Sequence, residues 1–182
     1  SEPTFSDIEV KWSQSYPDTR VFRRLKITVR REIVNFGFQL DDSSTTGRHV
    51  DPQCWNQIVD NPDVLLIDTR NTYESEIGSF PGAVKAEITT FRDFTHYVEK
   101  HIDPEAHPQV ALFCTGGIRC EKASAWMLKN GFQDVTQLQG GVINYLEKVT
   151  EKDSKWEGDC FVFDQRVTVT ADLKQGNYKQ CH

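Results

Sequence analysis

Val110 to Ser124 is the stretch that most limits what this chain can become. A continuous apolar run, Val110 to Phe113, stops on Cys114. Gly116 and Gly117 follow, then Arg119 and residues that favour helix. Such a run reads as a buried strand of a parallel sheet. The tandem glycine reads as a tight loop, and the remainder as a helix start. A thiol is thereby placed at the carboxyl end of a strand, the edge where open α/β sheets bind ligands.

The same alternation recurs along the chain. Val64–Ile67, 83–86 and Val135–Leu138 read as strands. Helical spacing lies between them: Trp55, Ile58 and Val59 after the cap Asp51-Pro52, then Phe91, Phe94 and Val98, then Ala123, Trp126 and Met127. A helix is expected over 120–129 with Gly131 as its cap, and another over 142–149 after Gly140-Gly141. This βα order predicts an α/β fold with a central parallel sheet flanked by helices. The alternation Leu25–Val29 predicts a strand in the first region, and Phe5–Ile8 opens a short helix. Asp41–Arg48 reads as a linker. The expected organisation is a first region over 1–40, a linker over 41–48, a main domain over 49–150 and an irregular C-terminal extension over 151–182.

At a helix N-terminus, free N–H groups and a partial positive charge favour an anion. Cys114 is therefore expected to ionise readily, and Arg119 strengthens the effect. Cys114 is the candidate nucleophile, with the amides of Thr115, Gly116, Gly117, Ile118 and Arg119 as its anion-binding loop. Cys120 is either a small residue packed against the sheet or a resolving thiol that forms a disulfide or relays sulfur. Arg70 and Glu74, four apart, are placed to pair across a helical turn.

Four segments carry a family resemblance: Phe113–Ser124, Leu66–Glu74, Ile77–Ala83 and Leu138–Leu146. They resemble the signatures of rhodanese-type domains, although a histidine common in rhodaneses is Ser79 here. More narrowly, the chain resembles the rhodanese-containing tRNA uridine hydroxylases, with Phe22–Ile27 and Arg31–Val34 agreeing upstream. The resemblance implies oxygen-dependent 5-hydroxylation of the wobble uridine of tRNA, with molecular oxygen as co-substrate. It implies that Asp68, Arg70 and Glu74 buttress the loop. It also implies that residues 1–40 are the remnant of a ferredoxin-like module, and that the chain ends before or within a Cys-rich segment. The runner-up activity is thiosulfate-type sulfur transfer through a Cys114 persulfide, with a sulfur donor as partner. A non-enzymatic interaction module is the third reading, and Cys114 argues against it.

Cysteine phosphatases need Cys-x5-Arg, and here the arginine comes one residue early with Cys120 in its place. The net charge of −6 argues against strong non-specific RNA binding. Against that stands a local run of Arg20, Arg23, Arg24, Lys26, Arg30 and Arg31, a candidate phosphate-contacting patch. Five cysteines, an odd number, and no signal-peptide pattern suggest free thiols in the cytoplasm. No apolar run is long enough to span a bilayer, so no membrane partner is expected. The sequence shows no flavin fingerprint, haem motif or facial metal triad, and Cys181-His182 is at most part of a zinc site, so neither cofactor nor metal is expected.

Overall fold

The structure is a computed structural model that describes residues 21, 22, 24, 27–30, 32–37 and 45–179. The helix expected at Phe5–Ile8, the residues Arg20, Arg23, Lys26 and Arg31, the linker positions 41–44 and Cys181-His182 lie outside the described residues.

Five strands form one parallel sheet: β1 (Arg48–Val50), β2 (Leu65–Asp68), β4 (Val84–Lys85), β5 (Gln109–Phe113) and β6 (Asp134–Leu138). Their spatial order is β1-β6-β5-β2-β4, with β5 at the centre. Side chains alternate across each strand, so every central strand serves two cores. On one face Ile67, Val110, Leu112 and Val135 pack with α3 (Phe94–His101) and α4 (Ile118–Lys129). On the other, Leu66, Ala111, Phe113 and Leu138 pack with α1 (Pro52–Val59) and α5 (Gly141–Lys148). Burial on both faces explains why these strands read as unbroken apolar runs.

The connections give the sheet its functional edge. From β2 the chain passes outward to β4; from β5 it passes the other way to β6. The carboxyl ends of β2 and β5, adjacent with Asp68 opposite Phe113, therefore flank the crevice where the winding direction reverses. A short helix α2 (Thr72–Ser75) follows β2, and Cys114 follows β5.

Three expectations of local structure are corrected. Among 27–29 there is no strand: Ile27 and Val29 are 86% and 96% exposed. An alternating pattern becomes a strand only where a neighbour takes its N–H and C=O groups. Arg48 to Val50, read as linker end and helix approach, is instead the edge strand β1, paired Arg48 to Thr136 and Val50 to Leu138. α4 begins at Ile118, two residues before the expected start, and its cap is Asn130, with Gly131 next at φ +96°.

The C-terminal segment packs on the domain. β7 (Glu157–Gly158) pairs antiparallel with β3 (Gly78–Ser79), and β8 (Cys160–Phe161) pairs with β9 (Thr168–Val169). This second pair lies within the extension expected to be irregular. Trp156, Cys160, Val162 and Val169 join the α1/α5 core. From the first region, Phe36 is buried against Phe91, with ring centroids 4.8 Å apart. Lys122 anchors the same segment through the Glu32 carboxylate and the Val34 carbonyl. No helix among the described residues is long and apolar enough to cross a membrane.

Candidate active site

The loop from Cys114 to Gly117 is shaped from two sides. On one, the α5 amides of Val142 and Ile143 donate to the carbonyls of Cys114 (2.9 Å) and Thr115 (3.1 Å). N–H and C=O point oppositely in a trans peptide, so these bonds turn the amides of Thr115 and Gly116 to the other side of the loop. The approach depends on Gly141, whose φ is +69°. A Cβ there would sit 2.5 Å from the Cys114 oxygen and 2.6 Å from the Gly117 nitrogen. On the other side, Gly117 turns through φ +85° and caps α4.

Cys114 is 1% exposed at the base of this loop, and the Gly117 amide donates to its Sγ at 3.1 Å. Burial alone pushes a thiol up. Here the Cys120 thiol, the Arg119 charge and the amides of Cys120 and Arg119 outweigh burial and bring Cys114 down to about 6. Of the amides expected as donors over 115–119, Gly117 donates to the sulfur at 3.1 Å and the Arg119 amide helps to lower its pKa. With α4 starting at Ile118, the helix aims its first amides at the thiol from Arg119 and Cys120 rather than from Thr115 and Gly116.

Arg119 is held from behind. Glu74, fully buried, grips it in a two-pronged pair with both N–O distances 2.7 Å. The Thr115 hydroxyl donates to the same carboxylate. The expected Arg70–Glu74 pair is therefore corrected. Arg70 instead pairs with Asp68, donating from Nε at 2.9 Å and from Nη2 at 2.6 Å. It also donates to the Gly78 carbonyl and lies over the Trp156 ring at 4.9 Å. Ser79, where rhodaneses commonly have histidine, closes the Asp68 carboxylate with a 2.9 Å bond. Two buried ion pairs thus stand under the loop, one for each strand end. Burial lowers the Arg119 pKa, but Glu74 and the neighbouring thiols more than offset it, so the guanidinium stays charged.

Three features were missed in the sequence. Thr69 donates its hydroxyl to the Phe113 carbonyl at 3.0 Å and lies 3.8 Å from Cys120 Sγ. Gly141 lets α5 approach the loop, and the tandem glycine was its only signal. Phe163, from the turn between β8 and β9, lies 5.8 Å over the Arg119 guanidinium. Of the basic run, Arg24 and Arg30 are exposed. Cys54 is exposed, and burial pushes the Cys160 thiol up to about 12, although Arg70 draws it the other way.

The family profile described as a rhodanese-like domain matches residues 51–148, more than half of the chain. This chain belongs to the rhodanese-like domain family. Solved rhodanese-like structures resemble it at low identity. A rhodanese-like domain from Anabaena is 16% identical over 60% of this chain and 78% of its own, with a TM-score of 0.49. A rhodanese-like domain protein from Staphylococcus aureus is 18% identical over 54% of this chain and 90% of its own, with a TM-score of 0.44. Reduced CoADR-RHD of Bacillus anthracis is 22% identical over 54% of this chain, with a TM-score of 0.45; the rhodanese-like chain described here spans 16% of that larger protein.

Proposed function

We propose that this rhodanese-like chain is a thiol enzyme of the sulfurtransferase type, with Cys114 as nucleophile and sulfur carrier. The observation that carries the reading is the thiol held at about 6 between the Gly117 amide and Arg119. At neutral pH it is a thiolate, and only the thiolate attacks. Attack on the outer sulfur of thiosulfate forms the Cys114 persulfide and expels sulfite. The persulfide is an anion as well, so the same amides and guanidinium serve it. A single sulfur atom is also the smallest cargo for a site whose thiol is 1% exposed. Incubation with thiosulfate and cyanide tests it. Thiocyanate should form with the wild type and be lost in Cys114→Ala; equal rates in both would reject it.

A finer reading rests on a different observation, the resemblance of Phe113–Ser124 and its companion segments to tRNA uridine hydroxylases. In that reading the transferred chemistry ends on carbon 5 of the wobble uridine of tRNA, with molecular oxygen as co-substrate. Exposed Arg24 and Arg30 would then meet phosphates. Nucleoside analysis of tRNA from cells with and without the full-length protein decides it. Hydroxyuridine should fall without the protein and recover with the wild type but not with Cys114→Ala. Unchanged levels would leave only the sulfurtransferase reading.

A further inference from the structure

The thiol of Cys120 is the group the proposed chemistry has not used. It lies in the first turn of α4, is fully buried, and touches two things that matter. Its Sγ is 3.8 Å from the Thr69 hydroxyl, which is itself bonded to the carbonyl just before Cys114. Its other neighbour is the Cys114 sulfur. Cys120 belongs to the α3/α4 core, and within that core its sulfur faces a hydroxyl and the second sulfur as well as apolar side chains.

We infer that Cys120 is the resolving thiol that discharges a Cys114 persulfide. The inference rests on the sulfur-carrier reading above. The Cys120 sulfur attacks Cys114 Sγ, and a new Cys114–Cys120 bond forms as the bond to the outer sulfur breaks. The outer sulfur takes the bonding pair and the Cys120 proton and leaves as hydrosulfide. The sulfane sulfur is reduced, and the two cysteines are oxidised to one disulfide. A dithiol reductant then restores both thiols for the next cycle. The electrostatics suit this division of labour. Before sulfur is loaded, burial and the neighbouring Cys114 push Cys120 well up, so it holds its proton. Once Cys114 carries the persulfide, the anionic outer sulfur takes that proton, Cys120 attacks as the thiolate, and the outer sulfur departs as hydrosulfide.

The experiment uses the full chain, reduced, desalted and mixed with thiosulfate. It reads intact mass, peptide mapping and released sulfide. The wild type should lose two hydrogens, show a Cys114–Cys120 cross-link and release one equivalent of hydrosulfide. Cys120→Ser should keep the added mass of one sulfur on Cys114 and release none. The inference is overturned if wild-type Cys114 keeps its extra sulfur as long as Cys120→Ser does. It is overturned equally if the extra sulfur is found on Cys120 without a cross-link. Those outcomes leave the sulfur-carrier reading standing. Absence of any sulfur uptake in Cys120→Ser, together with no cross-link and no sulfide in the wild type, would instead sink the carrier reading. The wild-type mapping needs no substituted chain, so the test survives even if Cys120→Ser folds poorly.

Discussion

Glu74 and Cys114 carry opposite obligations at the residue scale. Glu74 is fully buried, and among the described residues Arg119 is the cation bonded to it. Removing one partner of such a pair leaves the other charge buried and uncompensated, which costs about 3–5 kcal/mol. Glu74→Gln should lose that much in urea unfolding at neutral pH. A loss under about 1 kcal/mol would mean that Arg119 finds another partner or water. Cys114 is lowered from 9.0 to about 6, with burial opposing and the Cys120 thiol, Arg119 and the helix amides prevailing. A depressed acid loses its proton as pH rises through the lowered value, so reactivity appears early. Iodoacetamide labelling of Cys114 should climb between pH 5 and 7 with a midpoint near 6, then level off. A midpoint near 8.5, as for a free thiol, would overturn the picture. Arg119→Gln should move the midpoint upward, since it removes one of the charges that holds the thiolate.

The contact between two loops decides the site at the scale of elements. Gly141 has φ +69° and no space for a Cβ; Gly82 has φ +74° and nothing within 4 Å of where its Cβ would be. Left-handed backbone costs a side-chain-bearing residue about 1–2 kcal/mol. Gly82→Ala should cost only that. Gly141→Ala should cost several-fold more in denaturant unfolding and should also slow Cys114 labelling, because it pushes α5 off the Cys114 and Thr115 carbonyls. Equal costs would show that the loop yields without penalty. These elements also mark how far the sequence could be read. β2, β5 and β6 are visible because burial on both faces makes apolar runs. β1 is not, since Arg48-His49-Val50 is a strand only through its pairing with β6. The Cys114 loop is local and legible. The Glu74–Arg119 pair spans 45 residues, and nearest spacing suggested the wrong arginine. Asp68, two residues from Arg70, claimed that guanidinium once the chain turned at Thr69. The alternation before Val29 is legible as apolar pattern and yet yields no strand among the described residues.

On the scale of the whole molecule, the C-terminal segment completes the domain. Trp156 is buried, meets Phe80 edge-on at 5.1 Å and covers Arg70. Removing a buried tryptophan costs about 3–5 kcal/mol. Trp156→Ala should fall in that range by urea unfolding, with a loss of the Arg70 stacking contribution included. A change below about 1 kcal/mol would mean that this segment merely rests on the surface. The Phe80 cluster, which also meets Phe113 and Tyr145, makes the larger loss the expected one.

Phe163 is two-thirds exposed, yet its ring rests on the Arg119 guanidinium beside the nucleophilic sulfur. Its neighbour Phe161 meets Tyr73, just before Glu74. The Phe163 ring is therefore expected to sort reagents reaching Cys114 by bulk, while Arg119 sets the charge they meet. Phe163→Ala should speed labelling by a large maleimide much more than by iodoacetamide, and should leave the pH midpoint where it was. Admission and ionisation would then be separate properties of this domain, the first set by its last hairpin and the second by its central helix.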